Sequence, residues 1–347
     1  MISNTDANAF HEHYRHSPDV YICHRRDKFL TNLPPYIAFC TFACIHNPLS
    51  FGAQLILCPD PKPESFPQLV LKYKPNHFCC TRLHIDELMK YPKCENADLS
   101  FIYEAIYGGA KETSEWEQHV SAFLHKHKCQ YDIINGYGMT ETAGAFAVVH
   151  SGNHKMVPYV KNNVMIIDPD SGIELKYNEE GEVCVSSPTL MLGFYKNSQE
   201  TERDLFIHNN EKWYHSGDIG SVSSDGELTI KGRIKRIYCR ISKEGAIVRV
   251  YPMRIEEELS KSIYIDNCAV IGKKDNDVAF LSVAYIILKD KTANKKIVEN
   301  ELNNLCCDKL PPSHIPDKYV FIEEFPVTRA GKIDYKALEK MAEEMEK

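Results

Sequence analysis

Ile133-Ile134-Asn135-Gly136-Tyr137-Gly138-Met139-Thr140-Glu141-Thr142 decides how this chain is read. An apolar pair feeds a glycine-hinged turn that presents an aromatic ring, a hydroxyl and a carboxylate together. Gly136 and Gly138 permit backbone angles or close approaches that a β-carbon forbids. Tyr137 is then free to lie against a flat base, while Thr140 and Glu141 face phosphate and metal. Immediately upstream, Ser114 with Glu117 forms a capping-box pattern, and Trp116, Val120, Phe123 and Leu124 follow at helical spacing. A helix leading into a strand puts the turn at the strand's carboxyl end, where ligands bind in open α/β sheets. Farther back, residues 30–59 are apolar and turn-bounded, and residues 66–74 and 84–89 carry helical spacing. The expectation is a layered α/β domain.

Downstream of this domain the character changes. The runs ending at Asn178-Glu179-Glu180-Gly181 and Ser224-Asp225-Gly226 are flanked by short strands, so hairpins form a β-rich part from about residue 160. After Arg233 a third pattern begins. It comprises a helix near 255–260, strands near 268–272 and 279–288, a helix near 296–305, a strand at 319–322 and a closing helix. That makes a small α+β unit.

Composition bounds the function. A chain of 347 residues, 43% hydrophobic, buries a sizeable core and ordinarily makes about two domains. A net charge of -7 with dispersed cations gives no basic stripe, so nucleic-acid binding is disfavoured. Thirteen cysteines, scattered and without zinc-like or redox-like spacing, read as reduced and mostly buried thiols. Residues 36–57 are broken by Asn47, Pro48, Ser50 and Gln54, so no run spans a bilayer. With no charged-then-apolar leader, the expected location is cytoplasmic. His11, His13 and His16 do not share one helical face and are expected on a solvated helix.

Three further blocks follow the opening stretch in order: Gly181-Glu182-Val183 with Gly193-Phe194-Tyr195; Trp213-Tyr214-His215-Ser216-Gly217-Asp218 with Gly232-Arg233; and Pro326-Val327-Thr328-Arg329-Ala330-Gly331-Lys332. Together the four blocks resemble the adenylate-forming (AMP-binding) superfamily of acyl-CoA synthetases, aryl-CoA ligases, luciferases and peptide-synthetase adenylation domains. The likeness runs from about Ile2 to Leu338. It implies an α/β fold: a partial large domain over residues 1–233, followed by a small mobile α+β domain over 234–347.

The resemblance also implies roles. Tyr137 stacks on adenine, Gly108-Gly109-Ala110 lines the base and the acyl tunnel, and Asn135, Gly136, Gly138 and Met139 complete the nucleotide turn. Thr140 contacts the α-phosphate and Glu141 holds Mg²⁺. Asp218 accepts from the ribose hydroxyls, with Arg233 as ribose and phosphate partner. Lys332 matches the adenylation lysine, able to neutralise substrate carboxylate and α-phosphate as they approach. Lys235 matches the hinge about which the small domain rotates. Gly245 lies in a segment longer than the family pattern, where a glycine helps shape the thioester-forming site.

The implied substrates are ATP (with AMP as product), Mg²⁺, a small carboxylic acid, and CoA or a carrier phosphopantetheine as acceptor. A Ser/Thr/Gly-rich loop ending in Pro-Lys, which wraps the β- and γ-phosphates in relatives, is not found in this sequence. The expectation is a truncated or split form, with another polypeptide supplying that part. Residues 36–51 contain no Asp or Glu, which favours a simple carboxylic acid over an amino acid. The expected function is an AMP-forming acid–thiol ligase. A non-catalytic nucleotide-binding remnant and a stand-alone amino-acid adenylating enzyme remain as alternatives.

Overall fold

A computed structural model describes residues 2–3, 23–58, 60, 62–108, 114–149, 156–159, 161–242, 245–275, 279–328 and 332–344. The chain divides into two compact units: Met1–Ser216 with Ser221–Thr229, and Gly217–Gly220 with Ile230–Lys347.

The first unit is built on a seven-stranded sheet. Its strands are β1 (Lys28–Thr31), β2 (Gln54–Leu57), β3 (His77–Cys80), β4 (Glu104–Gly108), β5 (Ile133–Met139), β6 (Gly144–Val149) and β7 (Met156–Pro158). The order is β2-β1-β3-β4-β5-β6-β7, parallel through β5 and antiparallel beyond it. Strands β3 and β4 are buried at every position, as expected of a parallel sheet covered on both faces. Alternation along them sorts the side chains. Phe78, Cys80, Ala105 and Tyr107 face a core shared with α1 (Phe66–Tyr73), α2 (Arg82–Lys90) and α3 (Ser114–Lys126). Phe29, Cys79 and Ile106 face Cys40, Ala43 and Cys44 of a π-helix over Phe39–His46.

Residues 30–59, expected to alternate strand and helix, thus contain a π-helix, a form found disproportionately near functional sites.

Helix α2 begins with a capping box in which histidine replaces the usual Glu or Gln. The Thr81 backbone N–H donates to His84 Nδ1 at 3.3 Å, and the Thr81 hydroxyl lies 2.8 Å from the same nitrogen. An accepting Nδ1 must be unprotonated. Burial moreover pushes the His84 pKa down to about 4, from an ordinary value near 6.5. The unfolded chain therefore binds the proton more readily, and this contribution to stability is complete above pH 6.5 and lost as pH falls toward 4. The gap corresponds to about 3 kcal/mol. Denaturant titrations at pH 7 and pH 5 are expected to show a loss that His84→Gln, which restores the usual box, largely removes.

A second sheet of the first unit follows, with β8 (Asn163–Ile167), β9 (Gly181–Ser186), β10 (Leu205–His208) and β11 (Glu211–Val222) in the order β10-β11-β9-β8. Its pairings β8–β9 and β10–β11 are antiparallel. Strand β12 (Leu228–Arg233) pairs with β11 across the Ser224–Gly226 turn.

The second unit contains the hairpin β13 (Tyr238–Ile241) and β14 (Ile247–Val250), then β15 (Ile265–Lys274), β16 (Phe280–Leu288) and β17 (Lys318–Phe321). Strand β16 is central, antiparallel to β15 and parallel to β17. Helices α4 (Pro252–Leu259) and α5 (Lys295–Lys309) contribute Ile255, Leu259, Val298 and Leu302 to one core. Helix α6 (Tyr335–Glu344) places Leu338 and Ala342 in a core with Ala269, Ile271 and Tyr285.

The expected elements correspond closely to those observed, with one correction. The backbone from Asn135 to Met139 is not a turn: it is strand β5, carried on by antiparallel pairing with β6, and the turn is only Thr140–Thr142. The side chain of Ser114 and all of His11, His13 and His16 lie outside the described residues. All thirteen cysteines are free thiols, and ten are buried. Among the described residues, no helix is long and apolar enough to cross a membrane.

Candidate active site

In the first unit, three separated segments meet at the carboxyl end of the parallel sheet. Gly108 ends β4 and pairs in register with Gly136 on β5. A β-carbon on Gly108 would lie 3.3 Å from the Phe39 ring, and one on Gly144 would lie 3.6 Å from the Ala38 carbonyl and from Phe42. The π-helix therefore packs directly against both the β4 end and the turn after β5. Tyr137 is half-buried, with its ring edge-on to Phe146 at 6.4 Å.

Close approach fixes the glycine at position 138. A β-carbon there would lie 1.9 Å from the Gly144 carbonyl oxygen, whereas one on Gly136 would make an ordinary 3.6 Å contact with Ile106. Strands β5 and β6 shift register at Tyr137/Gly138, which is where they come too close for any side chain. Gly138→Ala is expected to cost about 3 kcal/mol, the upper end for overpacking, and to lower the melting temperature by roughly 6–12 °C. Gly136→Ala, measured beside it by thermal unfolding, is expected to change little.

The Thr140–Thr142 turn is held from three sides. Thr142 is buried, and its hydroxyl lies 3.2 Å from the Met139 carbonyl and 3.3 Å from that of Gly144. The Thr189 hydroxyl donates to the Thr142 carbonyl at 2.8 Å, and the Met191 N–H donates to that of Glu141 at 2.8 Å. Ala143 then adopts φ +61°, a left-handed conformation a non-glycine residue takes only when its surroundings impose it. Thr140 is exposed and Glu141 half-buried on this braced turn.

The brace was not foreseen from sequence, although Thr189 and Met191 sit just before the Gly193-Phe194-Tyr195 block. A second link between blocks was equally unforeseen. His215 Nδ1 lies 3.0 Å from Glu182 Oε2, so the Gly181-Glu182-Val183 and Trp213-to-Asp218 blocks meet through a side-chain pair.

Asp218, Arg233 and Lys332 all belong to the second unit. The Arg233 guanidinium donates to Asp218 Oδ1 at 2.9 Å, with Asp218 nearly buried and Arg233 exposed. Thr328 and Lys332 close a loop: the Thr328 N–H donates to the Lys332 carbonyl at 2.7 Å, and the Lys332 N–H to the Thr328 hydroxyl at 3.3 Å. Just beyond, Asp334 caps α6 by accepting from the Ala337 N–H at 3.1 Å. Although Lys332 is exposed, its ammonium is held below the ordinary lysine value. Lost hydration is the main cause and repulsion by Arg233 the next, while Asp218 acts in the opposite sense. Arg233 and Asp218 thus lie near enough to act on the Lys332 charge, and cations so placed suit an anionic ligand.

Lys235 is exposed in a single 3-10 turn, Ile234–Arg236. The next residue, Arg236, is anchored: it pairs with Glu256, donates to the Val270 carbonyl at 3.2 Å, and stacks on the Tyr335 ring at 3.8 Å. Gly245 adopts φ +82° in the turn between β13 and β14. Gly109 and Ala110 lie outside the described residues. Among the described residues, the groupings of three potential metal ligands are Cys23/Asp27/His77 and Glu182/Cys184/His215, and Glu141 belongs to neither.

Comparison with known proteins agrees with this architecture. A family model described as AMP-binding enzyme matches residues 1–195, and one described as AMP-binding enzyme C-terminal domain matches residues 254–332. A 4-coumarate–CoA ligase from Humulus lupulus is 27% identical over 331 residues, covering 93% of this chain and 58% of the ligase. The chain thus spans little more than half the length of that relative. Among solved structures, the amide bond synthetase McbA from Marinactinospora thermotolerans superposes with a TM-score of 0.82 at 22% identity, over 98% of this chain and 67% of the other. The anthranilate CoA ligase AuaEII, in complex with anthranoyl-AMP, gives a TM-score of 0.81 at 21% identity, over 96% and 63%. These structural likenesses establish the fold.

Proposed function

The chain belongs to the AMP-binding enzyme family, and on that premise we propose that it carries the acyl-adenylate-forming centre of an AMP-forming acid–thiol ligase. The observation that carries this reading is the Asp218–Arg233 ion pair in the second unit, with both residues near enough to act on the charge of Lys332, more than 100 positions along the chain from Asp218.

In this reading a carboxylate attacks the α-phosphate of ATP and pyrophosphate leaves. Asp218 accepts from the ribose hydroxyls, and Arg233 holds ribose and phosphate. Lys332 offsets the charge that accumulates as two anions approach, a task for a preorganised cation. Tyr137 supplies a face for adenine, with Asn135, Gly136, Gly138 and Met139 forming the strand edge beside it. Thr140 donates to the α-phosphate. Glu141 would hold Mg²⁺, whose chemistry there is to neutralise phosphate oxygens. Gly109 and Ala110, with Gly108, would line the base and the acyl tunnel. Lys235 would serve as the hinge between a large-domain portion, 1–233, and a C-terminal domain, 234–347. Gly245 would shape the site at which CoA or a carrier thiol takes the acyl group.

The acid would enter beside the π-helix. That wall presents Phe39 and Phe42 toward Gly108 and Gly144, and Phe39–His46 contains no acidic residue to hold an amino group. An apolar, non-amino carboxylic acid fits it best, in keeping with the 4-coumarate named for the similar plant ligase. A polypeptide carrying the phosphate-wrapping loop would complete the centre. Transfer of AMP from ATP to a panel of aryl, alkyl and amino acids, with the corresponding N-terminal segment of a relative added in trans, tests the proposal. Turnover with aryl or alkyl acids supports it, and turnover confined to amino acids would assign the alternative adenylating role.

A further inference from the structure

A second constellation lies at the other end of the parallel sheet. His77 opens β3 and pairs in register with Glu104, which opens β4; Asp27 immediately precedes β1. These are the strand ends opposite Gly108 and Met139. The His77 side chain is fully buried between two carboxylates: Nδ1 lies 3.2 Å from Glu104 Oε2, and Nε2 lies 3.0 Å from Asp27 Oδ2. Glu104 is itself almost wholly buried. Cys23, also buried, brings its sulfur to the Asp27 side of the ring, so that one atom each from Cys23, Asp27 and His77 all lie within 4.8 Å of one another.

We propose that Cys23, Asp27 and His77 form a mononuclear zinc(II) site, with Glu104 as the outer carboxylate that orients His77. A thiolate, an imidazole and a carboxylate are the donor types zinc takes, in four-coordinate geometry. Metal–ligand bonds of about 2.0–2.3 Å at tetrahedral angles set donor atoms roughly 3.3–3.6 Å apart. The three donor atoms, within 4.8 Å of one another, would close to that geometry by side-chain movements of about 1 Å. The histidine is arranged as metal-bound histidines are: its far nitrogen faces a carboxylate, which fixes the ring, while the near nitrogen, 3.0 Å from Asp27 Oδ2, would give up its proton to take the ion.

The local backbone also prepares the ligands. Residues 24–27 form a tight turn in which the Asp27 N–H donates to the His24 carbonyl at 3.1 Å and the His24 N–H donates to Asp27 Oδ2 at 2.8 Å. Arg26 takes φ +77° within it, and its N–H donates to the Gly52 carbonyl at 3.0 Å. That turn brings Cys23 and Asp27 to the same side. His24, exposed and with Nδ1 at 3.5 Å from Asp27 Oδ2, stands at the solvent side where a fourth ligand enters. With three protein ligands at the sheet edge remote from the nucleotide elements, the ion would tie the loop before β1 to the starts of β3 and β4.

Cobalt(II) substitution tests this on the whole chain. Titration with cobalt is expected to saturate at one equivalent and to give a thiolate-to-cobalt charge-transfer band. Cys23→Ser is expected to abolish that band, whereas Cys239→Ser, in the second unit, leaves it intact. Glu104→Gln, which keeps a hydrogen-bonding partner for His77, is expected to weaken binding by about 10–100-fold. Retention of the band in Cys23→Ser, or a folded chain by circular dichroism that takes up no stoichiometric cobalt or zinc, would overturn the site.

Discussion

Lys332→Ala is expected to slow acyl-adenylate formation by about 10²–10³-fold, the usual loss on removing one preorganised charge-stabilising group, without altering thermal unfolding. The structure explains why the two effects separate. The side chain is exposed, and the loop is closed through the Lys332 backbone and Thr328, so alanine keeps the scaffold. What disappears is a cation beside Asp218 and Arg233. Because that cation acts as charge builds between carboxylate and α-phosphate, affinity for AMP is expected to change by no more than about threefold. AMP transfer from labelled ATP, compared with AMP binding in the same preparation, separates the two quantities. A matching loss in both would make Lys332 a nucleotide-binding residue only.

Asp218→Ala has the opposite signature. A carboxylate accepting two ribose hydroxyls makes two hydrogen bonds to a charged group, each contributing about 1.5–3 kcal/mol. Their removal is expected to weaken AMP binding by about 10² or more. Because Asp218 is buried and paired with Arg233, thermal unfolding of the variant is measured alongside, so that a loss of stability is separated from a loss of affinity. Asp218→Asn, retaining one acceptor, is expected to fall between. Equilibrium dialysis with AMP, beside thermal unfolding of each variant, checks the expectation.

Much of this was legible in the sequence where a local rule applied. Helical spacing placed α1, α2 and α3 because an amphipathic face repeats within a few residues, and the apolar Ile133-Ile134 pair marked the strand that leads to the nucleotide elements. The family resemblance brought Asp218, Arg233 and Lys332 forward, and the fold pairs the first two. Less legible was anything that depends on two distant segments touching. Gly138 was read as allowing either unusual backbone angles or a close approach; the second holds, and the partner, the Gly144 carbonyl, is what no inspection of one segment reveals. The bracing of Thr142 by Thr189, and of Glu141 by Met191, is long-range hydrogen bonding of the same kind. Cys23, Asp27, His77 and Glu104 span more than 80 positions and carry no motif spacing; only the parallel register collects them. Arg236 was hidden for another reason, since a basic residue in a turn reads as solvated until Glu256 and Tyr335 arrive from elsewhere.

The most direct test of the central claim is calorimetric titration of the chain with AMP, with Mg²⁺-ATP, and with a non-hydrolysable acyl-adenylate analogue, an aryl acid joined to adenosine through a sulfamate. An intact acyl-adenylate centre predicts that the joined analogue binds at least about 10²-fold more tightly than AMP, that ATP binds no more tightly than AMP, and that Asp218→Ala loses all three. An analogue that binds no better than AMP would mean that only the nucleoside contacts are present, and would contradict the assignment of an acid-activating site.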